Sequence, residues 1–372
     1  MLKLTIIATV AYAALAERIP LRKQELTMEN LIAYEHQLLL GAPSKFLSAG
    51  LNDEVPVKDY MNTQYFVDVQ VGTPAQTFTV IPDTGSSNLW IYSSTCTNVV
   101  CQYHDTYDGS KSKSYKKVGT DFQISYGSGD ISGFESEDVA VLGGATSTMG
   151  FGEISKVKGV AFYASQMSGI LGFAYNSISV NGLKTFVDLS DLTDKSFAFY
   201  LNLDTEKSYM TIPGYDESAM INQEFQFHDV VEKKYFSLNL TGLKQGTTAI
   251  DSGRYKAVID SGTSVLVGPK KLVDQLNNGI TVKKTCLGIE NLPDITFQID
   301  GIDYVLTYND YVLKVTQNGV TECQNSIMAS NFPVGFDYFI LGDTFMRKYY
   351  SYFDMNNDRV GFINSSKLTP TF

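Results

Sequence analysis

The chain has 372 residues, 44% hydrophobic and 19% charged, with 23 Tyr, 22 Phe and a net charge of −11. That length and composition suit two domains or one bilobal body with large cores, and they exclude a disordered chain or a coiled coil. The charge argues against nucleic-acid binding, because nothing would neutralise phosphates; it is compatible with work in acid, where protonation relieves self-repulsion.

At the N-terminus Lys3 precedes an apolar run from Leu4 to Ala14, and Ala14-Leu15-Ala16 offers a small-x-small cleavage site before Glu17-Arg18. This reads as a signal peptide over residues 1–16. The run is too short to span a bilayer, and no later segment reaches about 18 uninterrupted apolar residues, so no membrane span is expected. The expected compartment is the secretory pathway, with an extracellular, lysosomal or digestive-vacuolar destination. Residues 17–55 differ from the rest. Thr27 is a plausible N-cap, Leu31, Tyr34 and Leu38 fall on one helical face, and Gly41-Ala42-Pro43 is a stop signal. Such a helix is either the first element of a domain or part of a removable pro-segment.

From Gln64 the pattern becomes strands. Tyr65 to Val71 ends in alternation, Gly72-Thr73-Pro74 breaks it, and Thr77 to Ile81 resumes. Similar short strands continue to Tyr350–Asp354 and Val360–Ile363, with short helices expected near 184–190 and 269–277. The fold class is all-β. It is also duplicated. Asp83-Thr84-Gly85-Ser86-Ser87-Asn88-Leu89 is echoed by Asp260-Ser261-Gly262-Thr263-Ser264-Val265-Leu266, each led in by an apolar run. Gly169-Ile170-Leu171-Gly172 is echoed by Phe339-Ile340-Leu341-Gly342-Asp343, 89 residues after Asp83 and 82 after Asp260 respectively. Two β lobes, 56–220 and 221–372, would place equivalent turns face to face across a central cleft.

Four cysteines allow three connectivities; local pairs, Cys96–Cys101 and Cys286–Cys323, keep one bridge in each half and are preferred. No C-x-x-C occurs, and His36, His104 and His228 are scattered, so neither a metal nor any cofactor is expected.

Two carboxyls within hydrogen-bonding distance cannot both ionise cheaply, so the pair holds one proton over a range of pH. Its ionised oxygen can take a proton from water while its protonated oxygen donates to a substrate carbonyl. Asp83 and Asp260 are the candidate pair. Gly85 and Gly262 bring backbone N–H groups close to them, Ser86 and Thr263 can donate to the outer oxygens, and Thr84 and Ser261 can lock one turn to the other. A single D-[ST]-G would be an ordinary turn; two matched extended copies are not. A third copy, Asp251-Ser252-Gly253, lacks the apolar lead-in and carries Arg254 where Thr263 stands, so Asp251 is read as a hairpin turn.

On these motifs the chain resembles the pepsin-like aspartic endopeptidases, the pepsinogen and cathepsin D family, over nearly its whole length. Proton sharing of the kind described is a known property of that family's dyads. The resemblance implies a bilobal pepsin-like fold with pseudo-twofold-related lobes, and Asp83 and Asp260 as the catalytic dyad. Ile124-Ser125-Tyr126-Gly127-Ser128-Gly129 resembles the family's flap, with Tyr126 its tyrosine and Trp90 the donor to that phenol. Ile170 would line an apolar pocket beside Tyr126, and Asp343 resembles the acid near the second aspartate. Pro43-Ser44-Lys45-Phe46 resembles the stretch in which a zymogen lysine lies between the carboxylates, which implies Lys45 as a lock and the pro-segment as an intramolecular inhibitor. Extended peptides or unfolded proteins are the implied substrates, cleaved between hydrophobic residues by a monomer.

Three departures stand out. Pro82 precedes Asp83 where the family usually has Phe, and proline removes a donor from a strand. Asp251 and Tyr255 stand where many relatives carry a third disulfide. Residues 17–45 balance four basic with four acidic side chains, fewer net positive charges than gastric-type pro-segments carry. Asn239-Leu240-Thr241 and Asn364-Ser365-Ser366 are sequons. The competing functional reading is an inactive peptide-binding relative with the same cleft, for which Pro82 leaves room.

Overall fold

A computed structural model describes residues 16–23, 64–126, 129–159, 161–203, 207–220, 222–250, 255–317, 319–330, 332 and 337–370. In the strand Tyr65–Val71 the alternation puts Val67, Val69 and Val71 inward while Asp68 and Gln70 face solvent. In contrast, Leu89–Tyr92 and Gly169–Gly172 are buried throughout, as expected of strands covered on both faces. The two short helices fall where the sequence places them, at Phe186–Leu189, capped by Thr185, and at Lys270–Leu276.

The duplication is wired into the sheets. In the first half, strands run in the order Tyr65–Val71, Gln76–Asp83, Gly169–Gly172, Leu89–Tyr92, Ala145–Lys158, with neighbours successively antiparallel, parallel, antiparallel and parallel. In the second half, Phe236–Gln245, Lys256–Ile259, Tyr338–Leu341, Leu266–Pro269 and Ile327–Ser330 repeat that order and those directions. Each half thus threads its acid-bearing turn between the same two strands.

A third, six-stranded sheet belongs to both halves. Ser196–Tyr200 pairs with Tyr349–Asp354, and the sheet continues through Arg359–Asn364 to Gln226–Asp229. At its other edge Glu17–Pro20 adds to Tyr209–Ile212, while Arg22–Lys23 joins Tyr65–Val71. The start of the segment 17–55 is therefore strand, with Ile19 and Leu21 buried. Its expected helix and Lys45 lie outside the described residues, as do the signal peptide before Ala16 and Asp251. Phe173, Phe197, Phe236 and Phe353 pack together beneath the lobes, joining both halves in one core. The disulfides are Cys96–Cys101 and Cys286–Cys323.

Candidate active site

Asp83 ends the strand Gln76–Asp83, and Asp260 follows the strand Lys256–Ile259. The parallel neighbours hold both ends. Phe173 N donates to Asp83 O at 2.8 Å, and Asp260 N donates to Leu341 O at 3.2 Å. Gly172 crosses so close to the first turn that a Cβ would sit 2.5 Å from Asn88 N. No side chain fits there, which is why the Ile-Leu-Gly echo ends in glycine.

The two turns meet with matching hydrogen bonds. Gly85 N donates to Asp83 Oδ1 at 2.8 Å and Gly262 N to Asp260 Oδ1 at 2.9 Å. Ser86 Oγ donates to Asp83 Oδ2, and Thr263 Oγ1 to Asp260 Oδ2 at 2.7 Å. The inner hydroxyls cross over. Ser261 N donates to Thr84 Oγ1 at 2.9 Å and Thr84 N to Ser261 Oγ at 3.0 Å, while Thr84 Oγ1 reaches Ile259 O and Ser261 Oγ reaches Pro82 O. A Cβ on Gly85 would stand 2.6 Å from Asp260 Oδ1, so glycine is what lets the carboxyls meet.

Both carboxyls are buried and hydrogen-bonded to each other. Burial first, then the charge of Asp260, pushes Asp83 up to about 7 against the opposing Ser86 and Gly85 donors. Burial likewise raises Asp260 against Thr263 and Gly262. The proton belongs to the pair. One carboxyl can act as base while the other acts as acid, which is the chemistry of water-activated hydrolysis.

Pro82 is accommodated. Pairing with Tyr65–Val71 stops at Val80, and the Asp83 carbonyl faces the parallel neighbour, so alternation turns the Pro82 nitrogen toward the side where the ladder has ended. No ladder donor is lost, and the Pro82 carbonyl still accepts from Ser261.

Over the turns, Lys116–Tyr126 and Gly129–Leu142 form a hairpin with Tyr126 opposite Gly129. Gly127 and Ser128, at its tip, lie outside the described residues. Trp90 Nε1 donates to Tyr126 OH at 2.9 Å, and burial followed by the Asp83 charge raises the Tyr126 phenol. Ile170 belongs to the same apolar cluster as Trp90, against which Tyr126 packs. Asp343 is buried and donates its N–H to Thr263 O at 2.8 Å, beside the second turn.

Sequence reasoning missed Tyr235. It is half-buried, and both Asp260 and Asp83 act on its phenol, which burial raises. Its ring meets Tyr338, whose hydroxyl donates to Glu232 at 2.7 Å. The run Glu232-Lys233-Lys234 reads locally as a solvated turn, so no sequence signal marks it. The histidines stay apart from the dyad: His228 is buried between Asp300 at 2.9 Å and Tyr304 at 2.6 Å, and His104 lies against Tyr92. Among the described residues no three His, Cys, Asp or Glu side chains converge as metal ligands, and no helix is long and apolar enough to cross a membrane.

Matched acid turns meeting between two β lobes of identical wiring define a bilobal pepsin-like body. The family model for eukaryotic aspartyl proteases matches residues 64–365. The chain is 36% identical to cathepsin D of Clupea harengus over 94% of this chain and 95% of that one. It is 35% identical to cathepsin D of Homo sapiens over 99% of each, and 34% identical to vacuolar protease A of Neurospora crassa over 85% and 82%. The chain belongs to the eukaryotic aspartyl protease family and is an aspartic-type endopeptidase.

Proposed function

We propose that Asp83 and Asp260 are the catalytic dyad of an acid endopeptidase made as a zymogen. The observation that carries this reading is the meeting of the two buried carboxyls, each held by its own glycine N–H and hydroxyl donor. The ionised oxygen takes a proton from a water that attacks the scissile carbonyl carbon, and the protonated oxygen donates to the carbonyl oxygen. Collapse of the tetrahedral intermediate breaks the C–N bond and returns a proton to the leaving nitrogen. An extended peptide lies beneath the hairpin carrying Tyr126, with main-chain hydrogen bonds for affinity and apolar pockets near Ile170 for hydrophobic residues. No observation favours an inactive relative, since Pro82 disturbs no ladder bond.

The reading divides the chain into a signal peptide (1–16), a pro-segment (17–55), a first lobe with the flap (56–220) and a second lobe (221–372). Before activation the Lys45 ammonium sits between ionised carboxylates, and acidification weakens that lock. The mature enzyme works as a monomer in a lysosome or vacuole; vacuolar protease A carries that compartment in its name.

Acidifying the purified precursor to about pH 3–4, near ordinary carboxylate pKa values, tests the reading. Self-processing and cleavage of a denatured protein are expected, and Asp83→Asn or Asp260→Asn abolishes both. Folded wild-type protein that neither processes nor cleaves would overturn it. Lys45→Ala should give a precursor active at neutral pH; one that stays intact and inactive there would sink the lysine lock.

A further inference from the structure

A cavity of about 540 Å³ opens away from the dyad. Its walls come from the end of the strand Ser196–Tyr200, from the hairpin formed by Val312–Gln317 and Val320–Asn325, from the helix Asp343–Lys348, and from Ser365 with its chain neighbours. Both halves of the chain contribute. On a molecule of net charge −11 this cavity is locally basic, lined by Lys314, Arg347 and Lys348 against the single carboxylate of Asp310. That carboxylate is engaged: it accepts from Thr307 N and Oγ1, both at 2.8 Å, and pairs with Lys348 at 3.3 Å. Lys314 and Arg347 have no ion-pair partner among the described residues.

Two polar atoms of the lining are unsatisfied. Arg347 donates through Nη2 to Thr344 Oγ1 at 3.2 Å, but its Nη1 is buried with no hydrogen-bond partner, and so is Ser365 Oγ. Buried donors left unpaired are costly and uncommon, a charged one most of all. Two of them in the lining of one cavity, with a further ammonium at its rim, call for an acceptor that carries negative charge. Water could satisfy the donors without compensating the charge. Asp343, one turn before Arg347, does not line the cavity.

We propose that this cavity is a binding site for a small oxyanion, a carboxylate, sulfate or phosphate, held by the Arg347 guanidinium and the Ser365 hydroxyl and attracted by Lys314. It is a second site, separate from peptide hydrolysis. Thr344 is unsuitable as a test position, because its N–H and Oγ1 each donate to Ser264 O at 3.2 Å and so support the turn bearing Asp260.

The test is thermal unfolding of the full-length protein at about pH 5, where lysine and arginine are charged. Sodium sulfate, sodium phosphate and sodium acetate are titrated in turn, with sodium chloride holding ionic strength constant. Sulfate stabilises proteins in general without saturating, whereas a site gives a rise that follows fractional binding. The expected result is such a binding curve for at least one of the three anions; acetate alone would mark a carboxylate site, and sulfate or phosphate a tetrahedral one. Arg347→Gln should abolish the binding component, and Lys314→Gln, at an exposed position, should weaken it about tenfold, the loss of one charge-assisted contact. If Arg347→Gln does not fold, Ser365→Ala with Lys314→Gln takes its place. A wild-type response no different from the variants', for all three anions, overturns the proposal and leaves the donors to water.

Discussion

At the residue scale, the outer hydroxyls decide how much of the burial penalty the dyad feels. Ser86 is the largest influence lowering Asp83, opposing burial and the Asp260 charge. Ser86→Ala should therefore raise the pair's lower ionisation, and the acid limb of kcat/KM should move up by about one pH unit, roughly 1.4 kcal/mol of lost charge-assisted bonding. An unmoved acid limb would show that the hydroxyl does not act on the dyad. The same burial has a stability consequence of opposite sense to most carboxylates. Asp83 rises from 3.8 to about 7, so the folded protein keeps a proton that the unfolded chain releases. The resulting stabilisation is complete below about pH 3.8 and is lost as pH climbs through about 7. Asp83→Asn removes the titration, so its melting temperature should fall less than the wild type's between about pH 4 and 7, by the equivalent of a few kcal/mol at most. Equal falls would mean the carboxyl is not raised. Glu232 runs the other way. Lys234, Lys256 and Tyr338 hold it down to about 2, so its contribution is present above the ordinary glutamate range and lost only as pH falls through about 2.

At the element scale, the hairpin over the dyad is tied down by one hydrogen bond from the chain's single tryptophan. Tyr126→Phe leaves Trp90 Nε1 without its acceptor while keeping the ring. We expect kcat/KM to drop about tenfold, in line with a buried hydrogen bond of roughly 1–1.5 kcal/mol, with little change in melting temperature. Because Trp90 is the sole indole, its fluorescence should shift in the variant; unchanged emission would contradict the contact. Strand wiring also explains what the Ile-Leu-Gly echoes are for. Gly172 and Gly342 are the points where the parallel strand passes the acid turn, and a Cβ at Gly342 would fall within 2.5 Å of Val265 O. Gly342→Ala should lower stability by about 2 kcal/mol or more through backbone displacement, and should lower activity in whatever fraction remains folded. A soluble variant of wild-type stability and activity would refute that role.

At the scale of the whole molecule, the six-stranded sheet unites lobes that otherwise look like independent copies. Its edge is completed by Glu17–Pro20, where Arg18 pairs with Asp216 at 2.5 Å and lies over the Tyr209 ring, while Ile19 and Leu21 enter the core. Deleting residues 17–23 from the precursor removes two buried aliphatic side chains, each worth about 1.5–3 kcal/mol. The shortened precursor should melt several degrees lower, and an unchanged transition would show that the strand adds nothing. This strand, the shared sheet and Tyr235 were not legible in the sequence. Their identity depends on pairings across most of the chain, such as Glu17 with Ile212 and Ser196 with Asp354, and nothing local announces such a partner. The acid turns were legible because a D-[ST]-G turn with its apolar lead-in is contiguous, and its repetition implies two lobes before any contact is known. By itself, then, the sequence determined the β class, the duplication, the family and the residue types offered to the site. Tertiary structure decided that Thr84 and Ser261, 177 residues apart, interlock, that Pro82 lies past the end of its ladder, and that burial raises both carboxyls. Hydrogen-bond partners and desolvation belong to the packed chain, because they arise only when distant segments exclude water between them.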